Sequence, residues 1–553
     1  MVLMLSCAVN DSHRTRSVVG QIMSWLSGSC QGVDRIKIVV IATVTCSILA
    51  NLYCWTNSLF SHDSLLIIQH EVAHNASIGR PFQELYVWFR GSVVAPLLVG
   101  SLGVLFLVVS NLAVVSLLSI YSRSFVIAAC SLLSVNATVT LINATYISWF
   151  DIMMFSCALS SIAAWLICKT KKGFLPAILI VCLSMGLYQS YLQVCALLGL
   201  AFCARCVAVG EDRLARACCI KGLVVLTLGV CLYFVSAYFA REVVGVGGAS
   251  GYNSVFAAFS WGGGGVSIFQ ALALTWIDPF SYLLFPETHA VRLVALANCA
   301  ILFAGICCVY FMLRYGHMGF KQRAAFWLTI CLMPFAAGCI NFAAFGGVHS
   351  MMIYSYFILY PIVFSAIELC FSNSGNFSIP QFSRAWDLLK KIILPIILVI
   401  TSLITFSNIV YANQVYLKKD LEYQATLSAL TRLEEKLEEI DSYQPGKTPV
   451  LFLGSFSENP ILNDVREGFP PERDQWPISS SGGFTKYAVG LGASVSLYSS
   501  HYIELYFKNI LGCPIAIVNE VSIDSEIEEA VPNCFPLDGS IRKIEDMVVV
   551  RLS

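Results

Sequence analysis

Long apolar runs dominate this chain and leave few architectures open to it. Hydrophobic residues make up 57% of its 553 residues and charged residues only 12%, against about 25% charged in soluble domains. Several runs reach the roughly 20 residues that a helix needs to cross a bilayer. We predict an α-helical polytopic membrane protein with about eleven spans, near 38–55, 92–118, 124–145, 147–168, 174–207 (as a pair), 222–240, 291–313, 324–345, 350–371 and 391–411.

Basic residues orient these spans. The segment 1–37 is basic and Lys169, Lys171 and Lys172 follow the fourth run, so we expect both in the cytoplasm. A single helix over 174–207 would carry Arg205 and the basic residues after it to the other side. We therefore favour a hairpin that turns near Tyr188–Tyr191, which puts this polar aromatic cluster at the outer surface.

The tail, 412–553, has a different composition. From Asn413 onward it carries 12 Lys and Arg against 21 Asp and Glu. A helix over 413–441 and strands at 449–453, 514–518 and 547–552 predict a soluble α/β domain on the outer side. Cys513 and Cys534 lie in this tail and could pair there if it faces an oxidising compartment.

Two outer loops, 57–91 and 241–290, carry the polar residues nearest the membrane. The second is rich in glycine and aromatic residues, includes Arg241 and Glu242, and is too polar and broken to cross. We expect it to re-enter the membrane or lie along its surface. The first contains His62-Asp63 and Gly79-Arg80-Pro81, with His70-Glu71-Val72-Ala73-His74 between them.

The His-Glu-x-x-His pentad allows a zinc peptidase interpretation. On a helix, His70 and His74 would share a face and bind zinc while Glu71 activates water. The residues directly after the pentad, 75–80, supply no third histidine, and the possible ligand Glu84 lies only ten residues after His74. An interfacial helix with two incidental histidines fits the pentad better.

Several motifs together point elsewhere. Asp63 just after the first span, the Gly79-Arg80-Pro81 element and Tyr188-Gln189-Ser190-Tyr191 occur in this order. The later elements are 349–356, 411–416, 420–423 and 449–454. In order and spacing the chain resembles the Gtr-type membrane glucosyltransferases that decorate bacterial O-antigen. His62-Asp63 replaces the acidic pair of that family, so only Asp63 carries over.

The resemblance implies a type-C glycosyltransferase architecture and transfer of a hexose, most simply glucose, from polyprenyl phosphate to a lipid-linked O-antigen or another surface glycan. It implies the bacterial inner membrane, with the C-terminal domain in the periplasm. A flippase and a donor-synthesising transferase are further expected partners, beside membrane lipids, and no nucleic acid is expected. No cofactor is required, and a divalent cation stays an open alternative.

An inverting transfer needs a carboxylate that accepts the proton of the attacking hydroxyl and cations at the departing phosphate. We assign Asp63 as the base and Asp151 as the second carboxylate. Arg80, Arg90 and Arg241 are the phosphate candidates. The other binding candidates share a position near the outer boundary: His62, Tyr188, Gln189, Tyr191, Glu242 and His349.

Structural alternatives stand beside these roles. Asp63 could cap the following helix, Arg80 and Arg90 could bind lipid headgroups, and Asp151 could pair with a neighbouring polar group. Tyr188 and Tyr191 could be interfacial anchors. A transporter or flippase would instead predict inverted repeats or charged residues in mid-span.

Overall fold

The structure is a computed structural model. The structure describes residues 26, 28–57, 59–60, 64–68, 70–249, 267–316, 318–344, 348–372, 383–454, 459, 500–518 and 525–553. The first outer loop is therefore described except at 58, 61–63 and 69. His62, Asp63 and the glycine run 262–265 lie outside the described residues.

Helices make up the membrane domain, as a chain whose backbone must satisfy its own hydrogen bonds in lipid requires. Within the described residues, ten helical stretches are long and apolar enough to span a bilayer. The helices are α1 Gly32–Thr56, α2 Val72–Ser77, α3 Gln83–Arg90, α4 Pro96–Leu117, α5 Arg123–Ser134, α6 Ala137–Thr145, α7 Phe150–Lys169, α8 Phe174–Leu187, α9 Leu192–Ala208, α10 Asp212–Val244, α11 Ile268–Leu284, α12 Val291–Tyr315, α13 Phe320–Ala343, α14 Tyr354–Phe357, α15 Leu359–Ser372 and α16 Ser383–Glu438.

The chain reverses at Tyr188, as the charge argument predicted. Ser156 near the start of α7 contacts Ser184 near the end of α8, with 3.0 Å between the hydroxyl oxygens. At the other end, the ammonium of Lys169 lies 4.8 Å from the ring centroid of Phe202 in α9. Helices α8 and α9 therefore run in opposite directions. With only 14 residues, α8 is shorter than the ten full spans and is the eleventh of the predicted set.

The predicted span 124–145 is two helices in the structure. Asn136 separates α5 from α6, and its side-chain oxygen accepts the backbone N–H of Val139 at 3.1 Å. Its amide nitrogen donates to the carbonyls of Leu132 and Leu133 at 3.1 and 3.0 Å. One buried side chain thus satisfies backbone groups that both helix ends leave open. This stretch is the most enclosed of the ten spans.

The second outer loop contains a helix that the sequence interpretation did not assign. Helix α11 packs against α13, and a Cβ atom at Gly338 would lie 2.1 Å from the carbonyl oxygen of Thr275. Asp278 is buried at this contact and accepts hydrogen bonds from Asn341 at 3.1 Å and from Tyr356 at 2.6 Å. Part of the predicted surface loop is therefore built into the helical bundle.

The last span and the first helix of the tail are one continuous helix, α16. The tail then forms β1 Pro449–Leu453, α17 Ser500–Tyr506, β2 Ala516–Ile517, α18 Ser525–Ala530, β3 Ile541–Ile544 and β4 Met547–Arg551. The sheet order is β2-β1-β4-β3, in which β1 pairs parallel with β2 and β4, and β3 pairs antiparallel with β4. The three predicted strands are confirmed and β3 was missed. Cys513 and Cys534 are both free thiols.

Basic residues from separate helices meet at one end of the bundle. Arg123 pairs with Asp34 at 3.0 Å, and the Lys221 ammonium donates to the carbonyl of Thr170 at 2.7 Å. We call this the basic end. The opposite end carries the described part of the first outer loop and leads into the tail domain.

Candidate functional site

The first outer loop folds into two short helices, α2 and α3, joined by the turn 78–82. Gly79 in this turn has φ +74°, a left-handed backbone conformation that residues other than glycine rarely adopt. Glu84 of α3 accepts hydrogen bonds from the backbone N–H of Glu71 at 2.8 Å and from the side chain of Asn75 at 2.9 Å. Glu84 therefore ties the two helices together.

The turn 78–82 docks on the chain reversal between α8 and α9. The amide nitrogen of Gln189 donates to the carbonyls of Ile78 and Gly79 at 2.9 and 3.0 Å. The Tyr233 hydroxyl of α10 donates to the same Gly79 carbonyl at 2.9 Å. A Cβ atom at Gly186 would lie 2.2 Å from the Phe82 ring, so glycine permits this close approach.

Docking of the turn places Arg80 over an aromatic ring. Its guanidinium carbon lies 5.0 Å from the ring centroid of Tyr188, a cation–π contact. The Nε atom of Arg80 is buried and has no hydrogen-bond partner among the residues that the structure describes. No carboxylate of that described set lies within ion-pair distance of Arg80.

A second guanidinium approaches the same place from α10. Arg241 and Arg80 both interact electrostatically with the Tyr233 hydroxyl. A Cβ atom at Gly248 would lie 2.6 Å from the Nη1 atom of Arg241, so the chain after α10 passes directly over this side chain. We call Arg80, Tyr188, Gln189, Tyr233 and Arg241 the arginine–tyrosine cluster.

Tyr188 and Tyr191 are buried inside the protein, which corrects the prediction that they lie at the outer surface. The Tyr188 and Tyr191 rings pack edge to face with centroids 5.2 Å apart, and Tyr191 lies 5.9 Å from Tyr354. The Tyr191 hydroxyl donates to the Met351 carbonyl at 3.4 Å. Tyr191 thus connects the cluster to the turn 349–352.

Arg90 and Asp151 form a buried ion pair. The Nη1 atom of Arg90 lies 2.9 Å from one carboxylate oxygen of Asp151 and 3.1 Å from the other, and the two side chains are 1% and 0% exposed. Tyr86 donates to the same carboxylate at 2.8 Å, and the backbone N–H of Ile152 also donates to it, at 2.9 Å. These contacts favour a structural role for both residues, because a carboxylate that accepts four hydrogen bonds from three donors has little capacity left as a base and Arg90 is enclosed with it.

His349 lies at the start of the turn 349–352, where its carbonyl accepts the backbone N–H of Met352 at 2.8 Å. Burial lowers the pKa of His349 below its ordinary value of 6.5. The next residue, Ser350, donates to Glu287 at 3.1 Å. Glu242 is exposed beside Arg241.

The described residues around Asp63 pack against the tail domain. Leu65 is buried in the hydrophobic core of that domain together with Leu430 and Tyr506, and Phe60 packs against the same core. The side chain of Asn509 donates to the Leu65 carbonyl at 2.7 Å. The tail therefore fixes the chain on both sides of the segment 61–63.

The pentad lacks the helical geometry that a zinc site of the His-Glu-x-x-His type requires. Helix α2 begins at Val72, so His70 and Glu71 precede it and His70 does not share a helical face with His74. Among the described residues no group of three His, Cys, Asp or Glu side chains could hold a metal ion. Glu84 contacts the start of α2 instead of joining the histidines.

Sequence reasoning missed Tyr233, Tyr86 and Lys419. Tyr233 and Tyr86 lie within helical stretches in which aromatic residues are common, so the sequence does not indicate their hydroxyl contacts. These contacts depend on how the helices pack. Lys419 is fully buried and donates to the carbonyl of Ala144 at the end of α6. In the sequence, the signal for this contact was a lysine shortly after the apolar run 391–411.

The protein-family model described as glucosyl transferase GtrII matches residues 52–366, more than half of the chain. The match includes the first outer loop, the reversal at Tyr188 and α10, so every member of the arginine–tyrosine cluster falls inside it. No curated protein and no solved structure matches the chain.

Proposed function

This chain belongs to the glucosyl transferase GtrII family and is a multi-pass membrane glucosyltransferase, and we propose that it takes glucose from polyprenyl phosphate and transfers it to a lipid-linked O-antigen or other surface glycan. The basic end faces the cytoplasm under the positive-inside rule. The loop with Arg80 and the tail domain then lie on the periplasmic side of a bacterial inner membrane.

The observation that carries the proposal is the position of Arg80. A lipid-linked sugar presents its phosphate at the membrane boundary, where a departing phosphate needs a cation that no protein carboxylate neutralises. Arg80 rests on Tyr188 without an ion pair among the residues described. Arg241 adds positive charge from α10. We assign these two arginines to the donor phosphate.

Asp63 is the proposed base. The acceptor hydroxyl attacks the anomeric carbon of glucose, its proton passes to the Asp63 carboxylate, and the bond from that carbon to the phosphate oxygen breaks. The phosphate leaves with the electron pair, held by Arg80 and Arg241. Support for this role comes from the described residues on either side, Phe60 and Leu65, which pack in the core of the tail domain.

Transfer of radiolabelled glucose from a polyprenyl-phosphate donor to a lipid-linked acceptor tests the proposal in purified full-length protein. We expect Asp63→Asn to lower kcat by about 10²- to 10⁴-fold and Glu71→Gln to leave it unchanged. Zinc is assayed in the same samples. Full activity in Asp63→Asn would overturn the assignment of the base, and full activity together with one tightly bound zinc that is lost in His70→Ala would favour the metalloenzyme.

A further inference from the structure

A cavity of about 750 Å³ with several charged residues in its lining lies at the basic end, between the ends of α7 and α9 and the start of α10. Four basic residues and one acidic residue line it: Lys169, Lys171, Arg205, Lys221 and Glu211. The cavity is therefore strongly positive. It lies across the membrane domain from Arg80 and takes no part in the proposed transfer.

The cations of this cavity contact neutral groups. Lys221 donates to the carbonyls of Leu166 and Thr170 at the end of α7, at 3.1 and 2.7 Å. Arg205 donates to the Ser365 hydroxyl at 3.2 Å. None of the four basic side chains pairs with a carboxylate in the part of the chain that the structure describes. At longer range the carboxylates of Glu368 and Glu211 attract Arg205, and the four basic residues still leave a net positive charge that an anion can neutralise.

A second, apolar cavity of about 330 Å³ lies between α9, α12, α13 and α15 and adjoins the cavity that the basic residues line. Arg205 lines both cavities and marks the boundary between them. Ile306 and Trp327 at the apolar cavity are 66% and 50% exposed, so the cavity opens sideways toward the bilayer. Its volume is within the range of about 300–1,000 Å³ that is typical of ligand pockets.

We propose that the two cavities form one binding site for an anionic phospholipid of the cytoplasmic leaflet. An acyl chain enters the apolar cavity from the bilayer, and the phosphate lies at Arg205 and Lys169. A basic pocket between helices at the cytoplasmic side is the setting in which anionic headgroups are recognised. A zwitterionic lipid brings an ammonium group into a site that already has an excess of three positive charges.

The site is tested by native mass spectrometry of the full-length protein in detergent, titrated with phosphatidylglycerol, phosphatidylethanolamine or polyprenyl phosphate. We expect phosphatidylglycerol to bind tightest and to raise the unfolding temperature. Lys171→Gln should weaken its binding about fivefold, and Arg205→Gln by at least as much.

The neighbouring residue supplies the matched control. Lys172 is exposed beside Lys171 but does not line the cavity, so Lys172→Gln should bind phosphatidylglycerol like the wild type. Lys171 is itself exposed, so Lys171→Gln should fold like the wild type. Equal binding of the two phospholipids, equal loss in both lysine variants, or tighter binding of polyprenyl phosphate would each overturn the proposal.

Discussion

Arg80 and Arg90 lie ten residues apart in one loop, yet the fold gives them opposite environments. Arg90 is enclosed with Asp151, and its charge is neutralised within the protein. Arg80 lies on the face of Tyr188, with no ion pair among the residues described. The same residue type in one loop therefore does not imply the same role: Arg90 holds the loop in place, and Arg80 has no carboxylate partner among the described residues.

The largest effect on stability should come from breaking the buried pair. Asp151→Ala leaves the Arg90 charge buried without its carboxylate, which typically costs about 3–5 kcal/mol. We expect a large fall in the free energy of unfolding in detergent, measured by denaturant titration. The double variant Arg90→Met with Asp151→Leu should recover most of it, because an apolar pair of similar size avoids the unpaired charge. A stable Asp151→Ala protein would contradict a structural role for the pair.

Arg80 should show the opposite pattern. Arg80→Gln removes the cation at the proposed phosphate site and should lower kcat about 10²- to 10³-fold, with little change in the free energy of unfolding. Glucose transfer and thermal unfolding are measured on the same preparation. Arg292 is exposed at the start of α12, and Arg292→Gln is the matched control with unchanged activity. A stability loss in Arg80→Gln comparable to that of Asp151→Ala would show that Arg80 has a structural role like that of Arg90.

Gln189 sharpens the comparison, because it holds the turn that carries Arg80. Gln189→Leu removes the donor to the Ile78 and Gly79 carbonyls and should cost about 1–3 kcal/mol. We also expect a higher KM for the donor, since Arg80 loses its fixed position.

Gln193 provides the control for this variant. It is buried one helical turn further on and donates to the Met352 carbonyl, away from Arg80. Gln193→Leu should lose similar stability with an unchanged KM. An equal rise of KM in both variants would show that general loosening, rather than the turn, is responsible.

The smallest effect should be the pH dependence from His349. Burial lowers its pKa below 6.5 in the folded protein, so near this pH the unfolded chain binds more protons than the folded one. The free energy of unfolding should therefore fall as the pH drops below 6.5, and stop falling once the pH is below the folded pKa. The slope contributed by one group is at most about 1.4 kcal/mol per pH unit.

Unfolding is followed between pH 7.5 and 5 in wild type and in His349→Gln. The variant should lose this part of the slope, since glutamine does not titrate. Identical slopes in the two proteins would mean that His349 has the same pKa in both states.

The site was less predictable than the fold for a physical reason. Asp151 was identified as a carboxylate near the outer boundary, and pairing with a neighbouring polar group was one of its two interpretations. The choice depended on Arg90, which is 61 residues away in sequence and reaches Asp151 only because α3 packs on α7. Gln189 was named as a binding candidate, but its contacts with the turn 78–82 arise from the docking of two distant segments.

The sequence alone determined the membrane class, the reversal at Tyr188 and three of the four strands, because apolar length, positive charge and local alternation act over neighbouring residues. Only the tertiary structure decided which charges are neutralised. Ion pairing depends on which helices meet and at what depth. Arg80 and Arg90 are the same residue type in one loop, and the packing of α3 and of the turn before it pairs Arg90 with Asp151 and leaves Arg80 without an ion pair among the described residues.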